Sequence, residues 1–260
     1  MKNLSETSSN FILLGVVEME NFRFLYSALG LVIYATSIFL CSLILYVIWT
    51  EESLHEPMYL LIGNLVFNGI FGSSAFLPKL ITDLFFGSRT ISIGGCLLQS
   101  FCIHCFAAVE LFTFTLMAHD RYLAIGQPLR YSTIMTNRKA WKFIIANWTT
   151  SIISVLVPII MTACLPLCGV DINNVFCDNM SLMKLACGDT SVNNIFGAVE
   201  SFLINIVCIL IIVYYYIRTF LVCMKISKEV FQKAVRTLVT HLAAFSTFMA
   251  SSLFVLLRDE

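Results

Sequence analysis

Residues 24–50 read FLYSALGLVIYATSIFLCSLILYVIWT, a run without a single Asp, Glu, Lys or Arg. As a helix it would be about 40 Å long, more than the ~30 Å hydrocarbon core of a bilayer. Its apolar residues lie on every face, and such a helix needs lipid or a very large core around it. Two further windows, 57–78 and 143–170, are equally free of charge. A fourth segment, 96–120, is interrupted by His104 and Glu110, and a fifth, 194–221, by Glu200 and, near one end, Arg218. A sixth, 237–257, carries His241 near its start. The runs are continuous, not dyadic, so they predict helices and not a transmembrane barrel. The expected fold is all-α: a membrane bundle over 24–257, with spans at about 24–49, 57–80, 96–120, 141–164, 194–221 and 236–257.

Composition agrees. Of 260 residues, 58% are hydrophobic and 12% charged, and the mean hydropathy is +0.86. A soluble domain averages about a quarter charged residues and could not hide this much apolar surface. Soluble enzymes, disordered tails and collagen-like fibres are excluded. The net charge of zero leaves no electrostatic footprint for nucleic acid. The short apolar run 11–17 is flanked by Glu6, Glu18 and Glu20, not by a basic segment, so it does not read as a cleavable signal peptide. The first span is expected to serve as an uncleaved insertion signal.

Basic residues set the expected orientation. Arg121, Arg130, Arg138, Lys139 and Lys142 follow the third span, while Arg218, Lys225, Lys228, Lys233 and Arg236 follow or flank the fifth. These ten of the 16 basic residues fall on one side if six helices alternate, and that side is expected to be cytoplasmic. Residues 1–23 then form an external tail with a glycosylation sequon at Asn3, and 258–260 begin a third external loop. Asn179-Met180-Ser181 is a second external sequon, whereas Asn147-Trp148-Thr149 falls inside the fourth span. Cys96, Cys168, Cys177 and Cys187 lie externally, enough for two disulfides in any of three connectivities. The other six cysteines read as small apolar filler. Cys102, His104 and Cys105 do not share one helix face, so they make a poor metal cluster.

The third span ends Met117-Ala118-His119-Asp120-Arg121-Tyr122-Leu123-Ala124-Ile125. This stretch resembles the M-A-x-D-R-Y-x-A-I signature of vertebrate odorant receptors, which are rhodopsin-like G-protein-coupled receptors. Four further stretches resemble that family in the same order. They are Phe11-Ile12-Leu13-Leu14-Gly15, Leu54-His55-Glu56-Pro57-Met58-Tyr59, Phe176-Cys177-Asp178 with Leu185-Ala186-Cys187-Gly188-Asp189-Thr190, and Lys233-Ala234 with Thr237, His241 and Leu242. His104-x-Phe106 with Glu110, and Asn68-Gly69, resemble the class shared with fish. The resemblance implies disulfides Cys96–Cys177 and Cys168–Cys187, which would fix a lid over a binding cavity.

Departures accompany it. The acidic residue expected midway along the second span is absent from Leu65-Val66-Phe67-Asn68-Gly69, which puts a sodium site in doubt. Tyr215-Tyr216 stands where the family has Ser-Tyr, and Phe248-Met249-Ala250 replaces Phe-Tyr-Gly. The sequence stops at Glu260, so the resemblance implies a chain shortened before its seventh span, with six of seven spans present.

For site residues, the resemblance implies a G-protein switch of Asp120, Arg121, Tyr122, Tyr216 and His241. The plainer reading of Asp120 and Arg121 is an ion-paired interface anchor. His104 lies about 12 Å below Cys96 along a helix, on one face with Ala107, Ala108 and Leu111. It is either a ligand group or a histidine satisfied by a neighbouring carbonyl, and the alanines either make room for ligand or let helices pack closely. Glu200 with Ile204 on the fifth span, and Met249, Ser252 and Leu256 on the sixth, would complete a mostly apolar pocket.

The expected function is that of an odorant receptor. It would bind a small organic ligand and activate a heterotrimeric G protein of the stimulatory olfactory type, within the plasma membrane and its lipid, without cofactor or metal. A non-signalling receptor fragment or pseudogene product is the alternative. A transporter fits less well, since no internal repeat is visible. An intramembrane enzyme would need a converging nucleophile–base pair or metal set, and neither is present.

Overall fold

The computed structural model describes residues 10–224 and 228–258, and among these the side chains of 228–231, 233, 234, 237 and 255–258 are left out. Asn3 and the side chain of Leu256 therefore lie outside the described residues. The chain order is β1 (Asn10–Leu13), α1 (Gly15–Glu18), α2 (Arg23–Thr50), α3 (Pro57–Phe86), β2 (Thr90–Ser92), α4 (Ile93–Gly126), α5 (Pro128–Ile134), α6 (Asn137–Ala163), β3 (Asp171–Ile172), α7 (Asn179–Lys184), α8 (Ser191–Cys223) and α9 (Lys228–Arg258).

Helices α2, α3, α4, α6 and α8 are long and apolar enough to cross a membrane. In α9 the described apolar stretch is Leu238–Phe254. The most apolar window of α2 buries none of its residues against protein, and Trp49 is 81% exposed. Water would make that surface costly, whereas hydrocarbon does not.

Several helices outrun their predicted spans. α3 continues beyond residue 80 because Lys79 bonds Asp83 one turn on and also donates to the Thr90 carbonyl at 3.0 Å. It ends at Gly87, whose φ of +67° is open to glycine without strain. α5 starts on Pro128, whose missing N–H costs nothing at a first helical position.

The chain divides into two compact units. The first comprises Val66–Ala108, Thr149–Glu200 and the chain up to Val47. Its main apolar cluster joins Phe11, Leu13 and Val16 to Leu84, Ile91, Cys96, Ile172, Cys177 and Leu182. The expected external tail is thus no loose tail from residue 10 onward: β1 is the central strand of a sheet ordered β2-β1-β3. It runs antiparallel to β2 and parallel to β3, with Phe11 opposite Ile91 and Leu13 opposite Ile172.

The second unit comprises Ile48–Leu65, Val109–Trp148 and the chain from Ser201. One cluster packs Leu61, Met117, Leu123, Met135 and Ile144, and another packs Phe114, Ala118 and Ile212 against Tyr215, Tyr216, Phe245 and Phe248. Between the helices runs a closed polar network. Asn64 and Asn147 both donate to the Thr113 hydroxyl at 2.9 Å, Thr113 donates to the Val109 carbonyl at 2.6 Å, and the Trp148 indole donates to Asn64 at 2.8 Å. Buried polar groups inside a membrane persist when each finds such a partner. The Asn147 sequon is consequently locked in a helix interface.

Candidate functional site

The residues expected to form the switch belong to the second unit. α4 carries Asp120 to a fully buried position near its end. Its carboxylate accepts the Arg121 guanidinium at 3.1 Å and, on the other oxygen, the Tyr131 hydroxyl at 2.8 Å. Tyr131 comes from α5, the short helix that Pro128 starts immediately after α4. Burial, with the neighbouring Asp120 charge and hydrogen bond, pushes the Tyr131 hydroxyl well above the ordinary tyrosine range. It therefore stays protonated and remains a donor. A buried carboxylate needs such partners to stay ionised at tolerable cost.

The same α4 turn presents an aromatic stack. The Tyr215 ring lies 4.9 Å from His119 and 5.6 Å from Tyr122, and Arg218 sits beside the Tyr122 hydroxyl. Tyr216 packs into the Phe114–Ile212 cluster, where Phe245 meets Phe114 edge-on at 5.6 Å. The His241 Nδ1 and Arg121 Nε atoms are buried without a hydrogen-bond partner among the described residues. Asp120, Arg121 and Tyr131 thus form a local ion-pair and hydrogen-bond group, with Tyr122, Tyr215 and Arg218 beside it. Tyr131 was not among the residues singled out in the sequence, and no local pattern there points to it.

In the first unit, the Cys96–Cys177 disulfide joins the start of α4 to the segment after β3, with a Cα separation of 5.2 Å. Cys168–Cys187 closes a loop within that segment, with a Cα separation of 5.5 Å. The Cys177 amide donates to Gln99 at 2.9 Å, and Gln99 donates in turn to the Ala75 carbonyl at 3.2 Å. The Phe176 ring stands edge-on to Phe76 at 5.6 Å. The segment is therefore clamped onto α3 and α4. Asp178 caps α7 through the Ser181 amide at 3.0 Å.

Of the predicted pocket residues, His104, Ala107, Ala108 and Glu200 belong to the first unit, and Leu111, Ile204, Met249 and Ser252 to the second. His104 is half-buried, and its Nδ1 lies 2.8 Å from the Ser100 carbonyl, to which it donates. The satisfied-histidine reading therefore holds for Nδ1, which fixes the ring and leaves Nε2 as its second polar atom. Ala108 packs against Cys105, Val155 and Ile159, so its small side chain serves helix contact. Leu111 is buried, while Ala107, Glu200, Ile204, Met249 and Ser252 are half-buried. Among the described residues no group of three His, Cys, Asp or Glu is placed to hold a metal ion.

Comparison with known proteins agrees with these features. Residues 30–258 match the family model described as olfactory receptor. The chain is 34% identical over 248 residues to Olfactory receptor 4L1 of Homo sapiens, covering 95% of this chain and 80% of that protein. It is 36% identical over 233 residues to Olfactory receptor 4B13 of Mus musculus, covering 89% and 76%. Olfactory receptor 6E1 of Mus musculus is 32% identical over 258 residues, covering 98% and 82%.

Proposed function

The chain belongs to the olfactory receptor family, and from that premise we propose how this odorant receptor works. A small organic odorant binds among the membrane helices, with His104 and Glu200 as the polar groups of a mostly apolar site. Ala107, Leu111, Ile204, Met249 and Ser252 supply its walls. Binding favours one of two arrangements of the helices, and the favoured one frees Arg121 to meet a heterotrimeric G protein of the stimulatory olfactory type. Tyr122, Tyr216 and His241 belong to the same coupling surface.

The observation that carries this reading is the Asp120 group. A buried carboxylate that holds Arg121 through one oxygen and is itself held by Tyr131 through the other suits a resting arrangement from which the guanidinium is released by giving up a single bond. The receptor sits in the plasma membrane with its N-terminus outside, where Asn3 is glycosylated; the basic residues that follow α4 and α8 support this orientation. The His104-x-Phe106 and Asn68-Gly69 patterns support a place in the fish-like branch of the family.

The test is an odorant panel applied to cells carrying the full chain and a cyclic-AMP reporter. An active odorant should lose potency when His104 or Glu200 is replaced, and should lose its response when Arg121 is replaced by Ala. An Arg121→Ala receptor that still couples normally would refute the switch.

A further inference from the structure

We propose that the segment from Phe11 to Val16 is a working part of the lid above His104, and that Gly15 is its positioning residue. The proposal rests on the reading of His104 as a ligand-facing group.

β1 lies between the two loops that follow α3 and α6. The Ile12, Leu14 and Gly15 amides donate to the carbonyls of Val170, Ile172 and Asn174, and the Leu13 amide donates to Arg89. Phe11 and Leu13 enter the same apolar cluster as Ile172, Cys177 and Leu182. Cys177 is bonded to Cys96 and hydrogen-bonded to Gln99. Gln99 stands five residues before His104 on α4, about 7.5 Å of helix rise. An unbroken series of contacts therefore runs from β1 through the loop to α4 at Cys96 and Gln99, one to two helical turns before His104.

Gly15 is where this series is tightest. A Cβ there would fall 2.6 Å from the Asn174 carbonyl carbon and 2.7 Å from the Val175 nitrogen. Both are backbone atoms, so no rotamer change relieves the clash, and β1 must lift from the loop. The Phe11-Ile12-Leu13-Leu14-Gly15 stretch thus has a physical reading. Two side chains anchor the strand, and one missing side chain lets the loop lie against it. Loosening it shifts the loop's local opening equilibrium while the spans stay folded.

The test is accessibility, which needs no odorant. His104→Cys is placed in a Cys164→Ser background, since Cys164 is exposed. Its labelling by a charged methanethiosulfonate applied outside intact cells is then timed. Gly15→Val should raise the rate about tenfold at equal surface level. Adding the register pair Ile12→Cys and Asp171→Cys, whose cross-link would rejoin β1 to β3, should return it to the Gly15 value. An unchanged rate, or a rise that the cross-link does not reverse, overturns the proposal. If Gly15→Val does not reach the surface, the cross-linked Gly15 receptor decides alone: slower labelling supports the tether and an unchanged rate overturns it. Failure of the pocket reading shows separately, as a His104→Ala receptor whose odorant response is unaltered.

Discussion

In the unit containing β1, two disulfides, a three-stranded sheet and the Phe11–Leu182 cluster hold loops against helix ends. In the unit containing Asp120, no disulfide occurs among the described residues. There, helices are joined by the Thr113 hydrogen bonds, by ring contacts and by the Tyr131–Asp120 hydrogen bond. Covalent bonds and strand ladders permit one arrangement. Hydrogen bonds and ring contacts can be exchanged for others at little net cost, because each is worth about 1 kcal/mol net. The proposed mechanism uses both kinds of construction: a fixed frame over the ligand site and an exchangeable set of bonds around Asp120.

The largest expected effect breaks the frame. Cys177→Ser opens a loop of sequence separation 81, worth about 4–5 kcal/mol on a chain-entropy scale. It also leaves Cys96 as a buried thiol. Receptor at the cell surface, counted by flow cytometry of an N-terminal tag, should fall to background. Cys187→Ser opens a loop of separation 19, worth about 3 kcal/mol on the same scale, and should leave a measurable fraction. Equal losses would mean that the loop between the disulfides, and not the tie to α4, sets folding.

Next comes the polar network. Thr113→Val keeps the shape but removes the acceptor shared by Asn64 and Asn147, a loss of about 1–3 kcal/mol. The thermal midpoint in lipid nanodiscs should drop by several degrees. An unchanged midpoint would show that lipid packing alone holds this unit.

A smaller effect on stability but a specific one on signalling is expected from Tyr131→Phe. It takes one of two partners from the buried Asp120 carboxylate, weakening the resting arrangement by about 1 kcal/mol. Ligand-independent cyclic AMP should rise several-fold. Because the folded-state hydroxyl is raised above its unfolded value, its contribution is fully present below the ordinary tyrosine pKa of about 10 and is lost only as pH climbs further. Basal activity in the native receptor should therefore show no step from this bond between about pH 6 and 9.

Much of this contrast was legible in the sequence. Charge-free windows located the spans, and the stretch from Met117 to Ile125 marked the end of α4 where the Asp120 group forms. The sheet was not legible, because strands of two to four residues carry no periodicity and their partners lie about 80 and 160 positions away. Phe11–Val17 therefore looked like an apolar interruption of a tail. Asn64, Thr113 and Asn147 looked like isolated polar residues, since only the packing of three helices brings them together. Tyr131 escaped notice because nothing local tells a tyrosine in a short helix that its hydroxyl will meet a carboxylate eleven residues earlier.

The smallest expected effect lies at the border of the rigid frame. At the start of α8 the Ser191 hydroxyl, and then its amide at 2.8 Å, hydrogen-bond Asp189 and hold its carboxyl below the usual range although the group is exposed. A lowered folded-state pKa means that the contribution is present above the ordinary carboxylate value and fades as pH falls through the lowered one. Asp189→Asn should leave the neutral-pH thermal midpoint nearly unchanged, because solvent screens an exposed charge. It should flatten the acid limb of the midpoint-against-pH curve below about pH 4, where the native carboxylate takes up its proton. A large shift at neutral pH would mean that the start of α8 is held as tightly as the loop before it, and would extend the rigid frame into the helix that leads on to Glu200.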